Sequence, residues 1–267
     1  MALLSPPPFR AAGPRVPPMA GAVIGPVAGA ALAHALPSVT ALGPVRRRLT
    51  PGLAGRGPLA HVALTFDDGP DPASTPRFLA ELDRLGWKAT FFMLGSMVRL
   101  APGLAAEVAE AGHEVAVHGD VHRSHLLRSP RAVVDDVRAA CATLAEATGR
   151  SPLWFRPPFG ILSMGSLLAA AQLGLRPVLW TAWGRDWTSE ATPGSVMAEL
   201  DRTLGPGATV LLHDSDCTSD PGSWRAALGA LPLLAERAAA GGWPVGPLRR
   251  HGLPLSPEPA ALSPDGE

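Results

Sequence analysis

Tyrosine is absent from this 267-residue sequence, cysteine occurs twice, and Lys88 is the only lysine. Cys141 and Cys217 form no C-x-x-C pair and no zinc-ribbon spacing. Each reads as an unpaired small core residue, with a mutual disulfide left open and the redox compartment unfixed. Formal net charge is zero, so bulk electrostatics points to no nucleic-acid partner. One lysine in a chain rich in Ala, Gly and Pro matches the bias of a G+C-rich coding sequence. No internal repeat is visible. The length suits one large α/β domain plus a tail.

Charge is also missing locally. Residues 19–45 contain no Asp, Glu, Lys or Arg, and Arg46-Arg47-Arg48 follow. The stretch is long enough to span a bilayer, although it is mostly Ala and Gly with Pro26 and Pro37 inside. It reads equally as a signal segment, with Arg10 and Arg15 ahead and Ala33-His34-Ala35 as a small-x-small cleavage site. A packed N-terminal extension is the third reading. The expectation is a chain associated with the membrane or exported, rather than cytoplasmic. Residues 1–18 read as unstructured, and 50–60, with Gly52, Gly55, Gly57 and Pro58, as a linker. The division is therefore an extension over 1–60, a domain over 61–250 and a disordered tail over 251–267.

Within the domain, strand-like and helix-like stretches alternate. Strands are expected at 62–66, 89–94, 114–118, 153–156, 177–182, 208–213 and 243–245. Helices are expected at 74–85, 98–111, 130–148, 163–173, 193–204 and 224–240. Leu79, Leu82 and Leu85 mark one helix face, Ser129-Pro130 an N-terminus, and Gly112 and Gly149 helix ends. Strands that are apolar almost throughout imply a parallel sheet covered by helices. Six or seven βα units make a (β/α) barrel, complete or incomplete.

Chemistry in such folds gathers at the C-terminal ends of the strands. Five of those ends carry ionisable groups or imidazoles. They are Asp67-Asp68, then His118 to His122, Arg156, Arg185-Asp186 and His213-Asp214. Adjacent carboxylates repel unless a cation or proton separates them. His118 and His122 stand four apart, so one helical turn puts both rings on one side. Two imidazoles and a carboxylate are a common ligand set for catalytic zinc. His34, His61, His113, His125 and His251 read as structural or surface residues. Trp154, Trp180 and Trp183 read as core and Trp187 as a stacking surface; the acidic loop 214–220 reads as a rim of the site or, in preference, as a solvated surface loop.

The residues Thr65-Phe66-Asp67-Asp68-Gly69-Pro70, His118-x-x-x-His122, Arg156-Pro157-Pro158-Phe159-Gly160, Asp186-Trp187 and Val210-Leu211-Leu212-His213 resemble the five ordered motifs of the polysaccharide deacetylase family. The resemblance runs from about 61 to about 248. It implies a distorted (β/α) barrel and a metal-dependent hydrolase that removes acetyl from an N-acetylated glycan. It also implies roles. Asp68, His118 and His122 would bind a divalent metal, zinc in the first instance. Asp67 would be the general base and His213 the general acid, held by Arg156 and Asp186 respectively. Leu211 and Trp187 would wall the acetyl pocket, and the backbone amide of Phe159 would face the oxyanion. Some relatives act on esters or other amides, so those remain alternatives, as does a glycan-binding module without turnover. The sequence departs from the family at Gly119, where Ser or Thr is usual, at Trp183, where an acid is usual, and at Phe159, where tyrosine is frequent. Gly119 removes a hydroxyl that commonly braces the histidine loop.

Overall fold

The computed structural model describes residues 21–253. Residues 1–18 and 254–267, expected to be unstructured, lie outside it; the tail is expected from 251, but His251 and Leu253 are buried, His251 against His61. Eight strands form one sheet: β1 (Val62–Asp67), β2 (Thr90–Met93), β3 (Glu114–Val117), β4 (Trp154–Phe155), β5 (Arg176–Pro177), β6 (Ala182–Trp183), β7 (Thr209–His213) and β8 (Val245–Gly246). The order is β5-β4-β3-β2-β1-β7-β6, and β8 pairs with the start of β1. Every pairing is parallel. The sheet curls into a half-barrel with helices around it, the α/β architecture expected from the alternation. All six residues of β1 are buried, because a central parallel strand is covered on both faces.

Nine α-helices accompany the sheet within the described residues: α1 (Gly21–Ala35), α2 (Gly43–Leu49), α3 (Thr75–Arg84), α4 (Gly95–Leu100), α5 (Pro102–Glu110), α6 (Pro130–Thr148), α7 (Met164–Leu173), α8 (Pro193–Asp201) and α9 (Trp224–Gly241). α6 starts as its sequence dictates, with Ser129 accepting from the Ala132 amide and Pro130 in the first turn. It stops at Gly149, whose φ of 67° is left-handed. The single helix expected over 98–111 is two helices, α4 and α5. They break at Ala101 (φ −142°, ψ 62°), because Pro102 disfavours the helical region at the residue before it.

The strand expected over 177–182 is also divided, into β5 and β6. The carbonyls of Val178 and Leu179 do not face a neighbouring strand. They accept from Arg156 Nε at 3.2 Å and Nη2 at 2.9 Å. The Leu179 amide donates to Leu53 O at 2.8 Å. β5 and β6 are the two ends of the sheet order, so Arg156 and the chain near Leu53 occupy the seam of the half-barrel. The segment read as a linker is thus bonded to the domain. Thr209 Oγ1 donates to Gly55 O at 2.6 Å, and the Gly57 amide donates to Gly207 O at 3.0 Å. Upstream, Arg46 is buried and its guanidinium donates to Trp180 O at 3.0 Å and Thr40 O at 3.2 Å. Among the described residues no single helix is long and apolar enough to cross a membrane, and the apolar pair 28–41 and 43–49 is bent by 94°.

The histidines read as structural are so placed where described. His61 and His251 meet Nδ1 to Nδ1 at 3.0 Å in the interior, and His113 Nδ1 accepts from the Ala89 amide at 3.1 Å. Cys141 and Cys217 are both free. Cys217 is exposed in the loop after β7 rather than packed in the core, because that loop is fixed by hydrogen bonds and not by apolar burial.

Arg156 is the largest fully buried side chain. Replacing it with leucine leaves Asp67 a buried charge without its cation, which costs about 3–5 kcal/mol. Urea unfolding of Arg156→Leu is expected to show a midpoint lowered accordingly at an unchanged slope. An unshifted midpoint would show that the seam holds without Arg156.

Candidate active site

Two carboxylates leave the end of β1 into different surroundings. Asp67 Oδ1 is 2.6 Å from Arg156 Nη1, which also donates to Thr65 Oγ1 at 2.9 Å. Burial pushes the Asp67 carboxyl above its usual range, and Arg156 and His213 pull against that. Asp68 has a left-handed backbone, with φ at 81°. Its Oδ2 accepts from Thr218 Oγ1 at 2.5 Å. Its Oδ1 is buried and has no hydrogen-bond partner. That oxygen lies 3.4 Å from His118 Nε2 and 3.6 Å from His122 Nε2.

His118 follows β3. Its Nδ1 lies 2.8 Å from Arg156 O, and a carbonyl can only accept, so Nδ1 carries the proton and Nε2 presents its lone pair. Burial pushes His118 down to about 3 against the pull of Asp68, which keeps the ring neutral, the form that binds metals. Donor atoms from Asp68, His118 and His122 all lie within 4.8 Å of one another. Tetrahedral zinc with ligands at about 2.0–2.1 Å sets them roughly 3.3 Å apart. The orphaned carboxylate oxygen and the neutral imidazole therefore fit a divalent cation.

Gly119 costs the histidine loop less than the missing hydroxyl suggests. Its φ is 105°, a backbone that glycine accepts readily. A Cβ there would lie 3.2 Å from Asp136 Oδ2. Asp136, from α6, accepts from the Asp120 amide at 2.8 Å and pairs with Arg128 at 2.7 Å. Arg99 holds Asp120 by two bonds, at 2.6 and 2.9 Å. The brace comes from a carboxylate on a neighbouring helix.

Across the site, Asp186 Oδ1 lies 2.9 Å from His213 Nδ1, and its Oδ2 accepts from the His213 amide at 2.7 Å. Burial disfavours the imidazolium, but Asp186, with Asp68 and Asp67 beyond it, holds His213 up to about 10. A charged imidazole facing a cavity can donate a proton to a departing group.

Asp67, Asp68, His118, His122 and His213 line a cavity of about 350 Å³, with Arg156 and Asp186 behind them. Leu211, Trp187 and Phe159 line it as well. The Phe159 ring lies 4.4 Å from the His122 ring, and its backbone φ is 61°. Trp180 and Trp183, read as core, also line the cavity. Trp183 stacks on Trp187 at 4.6 Å and 18°, and this pairing draws it to the wall. Trp180 is held at the seam by Arg46 rather than turned inward. A larger, more open recess of about 770 Å³ beside Arg77 and Arg225 holds none of these catalytic candidates.

The loop 214–220 is not simply a solvated surface loop. Asp214 and Ser215 are buried, while Thr218 and Ser219 line the cavity. Ser74 Oγ donates to Asp214 O and Thr75 Oγ1 to Asp214 Oδ2, each at 2.5 Å. The Asp220 amide donates to Trp187 O at 3.0 Å. Burial pushes Asp214 up to about 7. The rim reading of this loop fits its place at the cavity. Beyond His213-Asp214 at a strand end, an ionisable pair like Asp67-Asp68, the particular parts of Asp214 and Thr218 carry no separate signal in the sequence.

A family model described as polysaccharide deacetylase matches residues 54–178. A chitooligosaccharide deacetylase of Bradyrhizobium sp. is 35% identical over 189 residues, covering 66% of this chain and 85% of that protein. A peptidoglycan-N-acetylglucosamine deacetylase of Bacillus cereus is 36% identical over 155 residues, covering 57% of this chain and 72% of that protein. A family 4 carbohydrate esterase from Streptomyces lividans, solved in complex with acetate, superposes with a TM-score of 0.63 at 29% identity. That match covers 72% of this chain and 95% of that structure.

Installing the hydroxyl residue usual at the Gly119 position forces a side chain into left-handed backbone against Asp136. Gly119→Ser is expected to lose about 1–3 kcal/mol of stability, read by thermal denaturation of metal-free protein. An unchanged melting temperature would show that glycine is not required there.

Proposed function

The chain belongs to the polysaccharide deacetylase family and is a hydrolase of amide carbon–nitrogen bonds, and we propose that it removes acetyl groups from an N-acetylated glycan with a divalent cation, zinc, held by Asp68, His118 and His122. The observation that carries this reading is the convergence on one cavity of a three-donor cluster, a carboxylate–arginine pair and a carboxylate–histidine pair.

The division of labour follows from the partners. When bound, the cation would supply Lewis acidity towards water and the amide carbonyl. Asp67, whose Oδ1 accepts from Arg156 Nη1 at 2.6 Å, accepts a proton from the attacking water. His213, protonated and oriented by Asp186, gives a proton to the leaving amine nitrogen. Water and the amide become acetate and an amine, with no other reactant. Leu211 and Trp187 form the apolar wall for the acetyl methyl. The backbone amide of Phe159 faces the carbonyl oxygen as it gains charge. The stacked Trp183–Trp187 pair and Trp180 offer aromatic faces to sugar rings.

We place the chain at a membrane through the uncharged stretch 19–45. In support, the side chains of Leu32, Leu36 and Leu42 within it are exposed, and no acidic residue precedes Asp67. Cell fractionation with N-terminal sequencing tests this, and a full-length chain in the soluble cytosolic fraction would sink it.

Purified, metal-loaded protein is expected to release acetate and free amine from N-acetylated oligosaccharides. Acetate from acetyl esters alone would instead make it an esterase. Removing the base in Asp67→Asn should lower kcat by about 10²–10⁴-fold while metal content stays intact. The acid must be protonated, so activity should fall as pH rises through the His213 pKa, which Asp186 raises. Asp186→Asn removes that carboxylate and should move the alkaline limb to lower pH. An unmoved limb would show that Asp186 does not set the acidity of His213.

A further inference from the structure

We infer that Thr218 is a positioning residue for the metal centre, holding Asp68 so that a single carboxylate oxygen faces the cation. This rests on the reading of Asp68, His118 and His122 as ligands. The two oxygens of Asp68 are unlike. Oδ2 accepts from Thr218 Oγ1 at 2.5 Å, whereas Oδ1 is buried, unpartnered and 3.4–3.6 Å from the two imidazole nitrogens. The terminal torsion of an aspartate is broad, so the carboxylate has little intrinsic preference for which oxygen points inward. The hydroxyl supplies that preference. Hydrogen bonds to ionised acceptors are short and strong, and this one also occupies the oxygen that would otherwise be free to chelate.

Thr218 lies 150 positions from Asp68 in sequence, yet the loop that carries it is tied to the end of β1 at several points. Cys217 Sγ reaches Asp68 O at 3.5 Å, the Cys217 amide donates to Ser215 Oγ at 3.1 Å, and Ser215 Oγ donates to Asp71 Oδ2 at 3.3 Å. The buried Asp214 anchors the loop root through Ser74 and Thr75. Thr218 itself is exposed at the cavity rim, so its replacement leaves no buried void.

The test compares the full-length parent, Thr218→Val and Thr218→Ser in competition for Zn²⁺ with a chromophoric chelator. Thr218→Val is expected to bind Zn²⁺ about tenfold more weakly, the low end for loss of a group that orients a ligand, and Thr218→Ser to stay within about twofold of the parent. The metal-free melting temperature should not change in either. Parent-like Zn²⁺ affinity in Thr218→Val overturns the positioning role alone. Equal loss in both variants assigns the effect to the methyl group and overturns it as well. A parent protein that binds no Zn²⁺ overturns the ligand reading itself, and the inference with it.

Discussion

A single buried guanidinium holds the two halves of this molecule in register. Arg156 reaches four oxygens at once: Asp67 Oδ1, Thr65 Oγ1 and the carbonyls of Val178 and Leu179. It stacks over Phe92 with its central carbon 4.0 Å from the ring centroid. Its own carbonyl fixes the tautomer of His118. Burying a charge is costly unless it is paired and its donors are satisfied. Here that requirement ties β4 to β1 on one side and to the chain between β5 and β6 on the other. The same residue closes the seam and holds Asp67 through its side chain, and sets the tautomer of His118 through its backbone carbonyl. A substitution at Arg156 therefore cannot be read as purely structural or purely catalytic.

The charges around the cavity favour a cation beside Asp68. Asp67 is neutralised by Arg156 and Asp186 by protonated His213. Of these three strand-end carboxylates, Asp68 alone has no cationic side chain to meet it. Its nearby imidazoles include His118, which burial keeps neutral. An uncompensated buried carboxylate beside neutral nitrogen donors is an unstable arrangement without a counterion. A divalent ion would also lower the field that the Asp67 and Asp68 charges place on His213, bringing its proton within easier reach of a departing amine.

Much of this was legible in the sequence. Continuous apolar runs at β1, β2 and β7 announced buried parallel strands, and charges at five strand ends announced the site. What was not legible depended on contacts between distant segments. The break at Ala101 follows from Pro102 and was readable locally. The split of β5 from β6 was not, because it depends on Arg156 drawing carbonyls out of the sheet. Trp180 and Trp183 were read as core because an apolar residue next to a buried strand is usually inward. Trp183 lines the cavity because β6 stands at an open edge, and Trp180 because Arg46 holds it at the seam. Loop 214–220 looked solvated because its side chains are acidic. Asp214 is buried because Thr75, from another βα unit, donates to it.

The seam also changes where the functional unit begins. The family match starts at residue 54, yet Arg46, outside it, donates to Trp180 O and lies 5.5 Å from that indole's centroid. Arg156 lies 5.6 Å from the same ring, so two guanidinium groups flank a tryptophan that lines the catalytic cavity. Arg46 is pushed down to about 10 by burial and by Arg47 and Arg156 nearby. It pays that cost of desolvation where a fully closed barrel would have had strand pairing. An open half-barrel needs something at its edge, and here that role falls to a segment rich in arginine and free of acidic residues. Trp180, a residue of the cavity wall, is thus held partly by Arg46, which lies ahead of the recognisable domain and directly after the uncharged stretch 19–45.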